Sequence, residues 1–157
     1  MPYTLRKARI QDVKAVHRLL VDCKEDEGMV LPRSFTQLYS HLRDFFVAVN
    51  DEDGQVEGCC ALSICWENLA EVRSLVVSRE ARGQGLGKML VEACLSEAVA
   101  LGIYRVFALT DRPLFFARLG FSEVGKDTLP QKVWADCLNC HKFPDCDEVA
   151  MVMDMES

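Results

Sequence analysis

No apolar run in this sequence approaches the roughly 20 residues that a helix needs to cross a bilayer. Neither a membrane-spanning helix nor a membrane partner is therefore expected. Positive charge is also short, since 18 lysines and arginines against 24 aspartates and glutamates leave a net charge of −6. That balance argues against nucleic acid as the main partner, and any anionic ligand has to be held by local cations. Internal repeats and low-complexity stretches are missing, so neither a repeat array nor a disordered linker is predicted. No leader is expected either. Residues 1–10 are basic and mixed and read as a first strand, so the expectation is a cytoplasmic protein whose thiols stay reduced.

What is present is a chain of 157 residues, 50% apolar and 27% charged, the composition of an ordinary globular domain. One domain over 1–157 is expected. A strand over 5–9 is followed by Val13, Val16, Leu19 and Leu20 at helical spacing, which predicts a helix over 11–23. Charge and Gly28 predict a loop over 24–32. Ser34-Phe-Thr-Gln37 has the form of a capping box and opens a second helix through Leu42. Strands over 45–49 and 56–65 flank a polar turn, the pattern of a hairpin. A strand over 71–77, a glycine-rich turn and a helix to Leu101 come next. They are followed by a strand over 106–109, a short helix over 113–119 and a strand opening at Gly120-Phe121. A cysteine-containing loop over 130–147 precedes a last strand over 148–153. The order is β-α-α-β-β-β-α-β-α-β-β, an α/β chain with a mixed sheet. It lacks the regular β-α-β-α-β rhythm of a dinucleotide-binding fold.

The densest local signal is Arg82-Gly-Gln-Gly-Leu-Gly-Lys88, three glycines bracketed by two cations between a strand and a helix. The spacing excludes a nucleoside-triphosphate loop, because Lys88 is followed by Met89 and not by Ser or Thr. It also departs from the G-x-G-x-x-G dinucleotide fingerprint. Glycines let the backbone approach a ligand, successive amides point into one concavity, and the helix N-terminus adds its dipole. The pattern suits a pyrophosphate. Equally, such a turn is one that permits tight packing.

The stretch Arg82-x-x-Gly85-x-Gly87, within "EVRSLVVSREARGQGLGKMLVE" and followed by "FFARLGF" at 115–121, resembles the GNAT superfamily of N-acetyltransferases over essentially the whole chain. The resemblance implies a mixed, mostly antiparallel sheet of about six to seven strands with a splayed centre, flanked by about four helices. It implies acetyl-CoA as acetyl donor, held by Leu75, Val76, Val77, Arg82, Gly83, Gln84, Gly85, Leu86, Gly87 and Lys88, with Phe115, Phe116 and Arg118 closing the site. A backbone amide near Val76 would polarise the thioester carbonyl. Glu71 stands where many members carry a glutamate base, and strand alternation would put Arg73 on the same face. The other reading of that pair is a strand-edge ion pair of little consequence. Many members place a tyrosine general acid at the position of Phe116, which has no proton to donate. Thr110 is the nearest hydroxyl, either a proton donor or a cap for the helix beginning at Pro113.

"FALT", the two phenylalanines, Leu31-Pro-Arg-Ser34 and "LPQKVWADCLNC" further resemble the acetyltransferase domain of N-acetylglutamate synthases, in its short single-domain bacterial form. The implied acceptor is L-glutamate. Its two carboxylates call for two cations or good donors, and Arg33, Arg73 and Lys132 are the candidates, each otherwise a solvated surface cation. The acidic run 145–148 departs from the basic stretch of the longer synthases. It leaves open another amine, such as a different amino acid, a polyamine or a protein amine. A non-catalytic acetyl-CoA-binding or metal-responsive module is the reading from another class. A homodimer is expected only by resemblance.

Eight cysteines remain. Cys23, Cys59, Cys60, Cys65 and Cys94 lie in apolar stretches and are assigned to packing. Cys137, Cys140 and Cys146 form C-x2-C-x5-C, with His141 beside the second. One such knuckle is half of a structural zinc site, so zinc, packing thiols and a redox disulfide all stand as readings. Acetyl transfer requires no metal.

Overall fold

A computed structural model describes residues 2–27, 34–129 and 148–155. Among them the element order is β1 (Tyr3–Lys7), α1 (Val13–Glu27), α2 (Phe35–Ser40), β2 (Phe45–Asn50), β3 (Val56–Trp66), β4 (Leu69–Val77) and α3 (Leu86–Ala100). Then come β5 (Arg105–Thr110), α4 (Pro113–Arg118), β6 (Ser122–Val124) and β7 (Val149–Asp154). This is the order read from the sequence. The seven strands form one sheet in the order β1-β2-β3-β4-β5-β7-β6. β1 with β2, β2 with β3, β5 with β7 and β6 with β7 are antiparallel, and β4 with β5 is parallel.

The chain divides into two compact units, 1–62 with 72–97 and 63–71 with 98–157. In the first, α1 buries Val13, Val16, Leu19 and Leu20, the residues whose spacing predicts it, together with Leu38, Phe45, Val47, Cys59, Ala61 and Val76. The helix runs on to Glu27, where the charged run 24–27 suggested a loop. Lys and Glu are good helix formers, so charge alone does not end a helix. Its entry is held by Asp12, which is only 4% exposed. The Asp12 carboxylate accepts from Arg6 at 2.7 and 3.2 Å and from the Arg9 amide at 2.7 Å. Burial works to raise the Asp12 pKa; the hydrogen bonds and charges of the two arginines outweigh it and hold the group below the ordinary carboxylate value. The capping box opening α2 forms as read: the Gln37 amide donates to Ser34 Oγ at 3.1 Å and the Ser34 amide to Gln37 Oε1 at 2.9 Å.

Cys59, Cys60 and Cys94 are fully buried in this unit, in accord with a packing role. Cys60 Sγ lies 3.7 Å from Cys94 Sγ, and that neighbour together with burial pushes the Cys60 thiol well above its ordinary range. The side chain of Cys23 lies outside the described residues.

In the second unit the core is Leu69, Phe107, Leu129, Ala150 and Val152, with half-buried Cys65 packed against it. β5 and β7 pair over their full lengths, from Arg105 opposite Asp154 to Thr110 opposite Val149. β6 starts at Ser122 and not at Gly120, because Gly120 is the C-terminal stop of α4. Its φ is +104°, its amide donates to the Ala117 carbonyl, and the Phe121 amide reaches back to Phe116, the pattern of a Schellman motif. A Cβ at Gly120 would come within 2.8 Å of Met153 Cε. No helix among the described residues is long and apolar enough to cross a membrane.

Candidate active site

In the first unit the glycine-rich turn is shorter than its sequence. Leu86, Gly87 and Lys88 lie in the first turn of α3, whose opening bond runs from the Met89 amide to the Gly85 carbonyl at 3.1 Å. Gly83 and Gly85 take φ of +82° and +80°. A Cβ at either would meet nothing within 4 Å. Close packing therefore does not explain these two glycines; their left-handed backbone does, because an L side chain is strained there. The amides before Met89 have no intrahelical acceptor by helix geometry and carry the positive end of the dipole. Arg82 and Lys88 are exposed beside them. Such a donor set suits an anion of the pyrophosphate type. Arg82 Nε donates to the Val77 carbonyl at 3.1 Å, tying the turn to the strand it leaves, and Gln84 Nε2 donates to the Tyr3 hydroxyl at 3.2 Å.

β4 supplies the remaining candidates of this unit. Val76 is buried in the core, while Arg73, Leu75 and Val77 are half-buried. Between Arg73 and Leu75 stands Ser74 with φ +57°, the one non-glycine in the left-handed region among the described residues. That conformation breaks the alternation of the strand, so a facing order read from strand alternation does not carry through to Leu75 and Val76. Nothing in "RSLVV" signals it. Gly58 of β3 permits the close approach here, since a Cβ would sit 3.3 Å from the Val76 carbonyl oxygen and 3.1 Å from Leu90 Cδ1.

The second unit holds Glu71, Thr110, Phe115, Phe116 and Arg118. Glu71 is 9% exposed and registered opposite Phe107 on the parallel strand β5. Thr110 ends that strand three residues beyond Phe107, a rise of about 10 Å. Its hydroxyl accepts from the Arg112 amide at 2.9 Å. This replaces the cap expected for α4: Arg112 occupies the cap position, and Thr110 serves the amide of the cap residue and not the helix itself. Phe116 is 6% exposed and packs edge-on against Phe115 and Phe121, with ring centroids 5.1 and 5.2 Å apart. The ring at the family's tyrosine position is thus a core residue. Phe115 is half-buried and Arg118 exposed.

Arg33, Lys132, Cys137, Cys140 and Cys146 lie outside the described residues. Among the described residues no group of three or more His, Cys, Asp or Glu side chains is placed to hold a metal.

Residues 13–121 match the model of the Acetyltransferase (GNAT) family. The chain is 45% identical to an uncharacterized N-acetyltransferase of Chlorobaculum tepidum, over 94% of each chain. It is 38% identical to the amino-acid acetyltransferase of Mycobacterium tuberculosis, over 76% of this chain and 68% of that one. Among solved structures, N-acetylglutamate synthase from Neisseria gonorrhoeae, complexed with coenzyme A and N-acetyl-glutamate, superposes with a TM-score of 0.87 at 27% identity. That match covers 99% of this chain and 35% of the synthase.

Proposed function

The chain belongs to the GNAT acetyltransferase family and is an N-acetyltransferase; from that premise we propose that it moves the acetyl group of acetyl-CoA to the α-amine of L-glutamate, giving N-acetyl-L-glutamate. The observation that most supports the glutamate reading is the superposition of 99% of the chain on a synthase holding coenzyme A and N-acetyl-glutamate.

The turn from Arg82 to Gly85 and the first amides of α3 take the coenzyme pyrophosphate, with Arg82 and Lys88 as local cations in a chain of net charge −6. Leu75, Val76 and Val77 flank the pantetheine arm, and the amide near Val76 donates to the thioester carbonyl as charge develops there. Phe115 and Arg118 border the coenzyme, while Phe116 contributes as packing. The acceptor arrives mostly as ammonium at neutral pH. Glu71, buried on β4, accepts its proton directly or through water. The freed amine attacks the carbonyl carbon, the carbon–sulfur bond breaks, and the coenzyme thiolate takes a proton from Thr110 or solvent. Glu71 is registered opposite Phe107 and Thr110 lies roughly 10 Å further along β5, so base and acid are separate groups of the second unit. Arg33, Arg73 and Lys132 meet the two carboxylates of glutamate.

The test is coenzyme A release from acetyl-CoA across a panel of amino acids, polyamines and a lysine peptide. Preference for L-glutamate over aspartate, glutamine and the amines is the expected result. Preference for another acceptor would overturn the glutamate reading and leave the family's chemistry in place.

A further inference from the structure

Gln84 sits between the two left-handed glycines of the turn, so its position sets the direction of the peptide planes on either side. Its side chain donates to the hydroxyl of Tyr3, 81 positions away in sequence. The topology of the first unit explains how they meet. β1, β2, β3 and β4 alternate in direction, the last two joined by a tight turn at 67–68, so β1 begins at the end of the sheet where β4 finishes. Tyr3 is the first residue of β1, half-buried and registered opposite Asn50 of β2. It is held in the sheet beside a glycine-rich turn.

Gly83, Gly85 and Gly87 each have more backbone freedom to lose on ordering than any other residue type would. If that freedom were lost only when the coenzyme binds, affinity would fall accordingly. Two straps remove it beforehand: Arg82 fixes the start of the turn to the Val77 carbonyl, and Gln84 fixes its apex to Tyr3. We propose that Tyr3 is a positioning residue for acetyl-CoA, its hydroxyl holding Gln84 so that the amides of the glycine turn are already arranged for the pyrophosphate. The assignment rests on the coenzyme reading above. It gives Gln84 a divided role, its backbone toward the ligand and its side chain toward β1. Tyr3 lies outside the R-x-x-G-x-G pattern, and its part is visible only in the folded chain.

The test uses the full chain with Tyr3→Phe, Gln84→Met and the double variant. Coenzyme A affinity is measured by calorimetry, kcat and KM for acetyl-CoA by steady-state kinetics, and amide exchange of 82–88 in the free protein. Each single variant should bind coenzyme A about three- to tenfold more weakly, the range of one neutral hydrogen bond. KM for acetyl-CoA should rise in step with faster exchange in the turn, and in Tyr3→Phe kcat at saturating donor should be unchanged. The double variant should be no worse than either single one. Because Gln84 is exposed, its variant folds even if Tyr3→Phe does not. Wild-type affinity in Tyr3→Phe, or additive losses in the double variant, would overturn the assignment while leaving the coenzyme site standing. Failure of the unmutated protein to bind coenzyme A would overturn both.

Discussion

Gly85→Ala isolates what the turn's backbone contributes, because nothing else changes there. At φ +80° with open space around the new methyl group, the substitution meets no neighbour and adds only strain. Holding alanine in the left-handed region costs about 1–2 kcal/mol. The mutant turn has two responses. If it keeps its shape, the whole cost appears as lost stability, about 2–8 °C of Tm for a chain of this size. If it relaxes to negative φ, stability is largely retained, but the peptide planes rotate and the ligand has to restore them, so coenzyme affinity falls by up to about 5- to 30-fold. The two losses should sum to one strain energy. Gly54→Ala is the control, since it has φ +73°, equal openness and a place in the β2–β3 turn. It shares the gain in protein stability that alanine brings by restricting the unfolded chain, about 0.4–1 kcal/mol. Gly54→Ala should lose stability alone; Gly85→Ala should divide a similar total between Tm and coenzyme A binding, read by calorimetric melting and titration. Wild-type stability together with wild-type affinity in Gly85→Ala, beside a destabilised Gly54→Ala, would refute the reasoning.

Glu71→Gln should lower kcat about 10²–10⁴-fold at neutral pH with coenzyme A affinity unchanged, and recover activity at high pH, where the amine loses its proton unaided; a flat pH profile would remove Glu71 from the base role. Thr110→Val takes the acceptor from the Arg112 amide and should cost about 1 kcal/mol, while Thr110→Ser should restore both stability and turnover. Equal turnover in both variants would discard the proton donor. The depressed Asp12 pKa means its stabilisation is present above the unfolded carboxylate value, about 3.9, and is lost as pH falls through the folded value. Asp12→Asn should therefore be less stable than wild type at pH 7 and lose less on acidification, which denaturant titration at pH 7 and pH 3 will read. Peptide mapping after thiol labelling of the native protein should leave Cys59, Cys60 and Cys94 unmodified until denaturant is added.

Features that depend on a few neighbouring residues are legible in the sequence alone. The Ser34–Gln37 capping box, the periodic face of α1 and the left-handed glycines of the turn each follow from local geometry. What was not legible depends on partners distant in sequence. Ser74 adopts φ +57° although neither it nor its neighbours favour that region, so the surrounding strands impose it. The end of α1 is not legible because a run of charged residues is compatible with helix and loop alike. The reach of Gln84 to Tyr3 appears only when residues far apart meet.

The two units are threaded through each other along the chain, which passes between them near 62, 71 and 97. No single cut can yield both intact, so truncation or limited proteolysis will give fragments lacking an arm of one unit. The order of synthesis matters for the same reason. The first unit is complete when residue 97 has left the ribosome, whereas the hairpin tip 63–71 emerges before β5 and the rest of its unit exist. At about 5–20 residues per second, that tip waits some seconds for its partners. Leu69, buried in the core of the second unit once folding is complete, is the apolar side chain left without its partners during that interval.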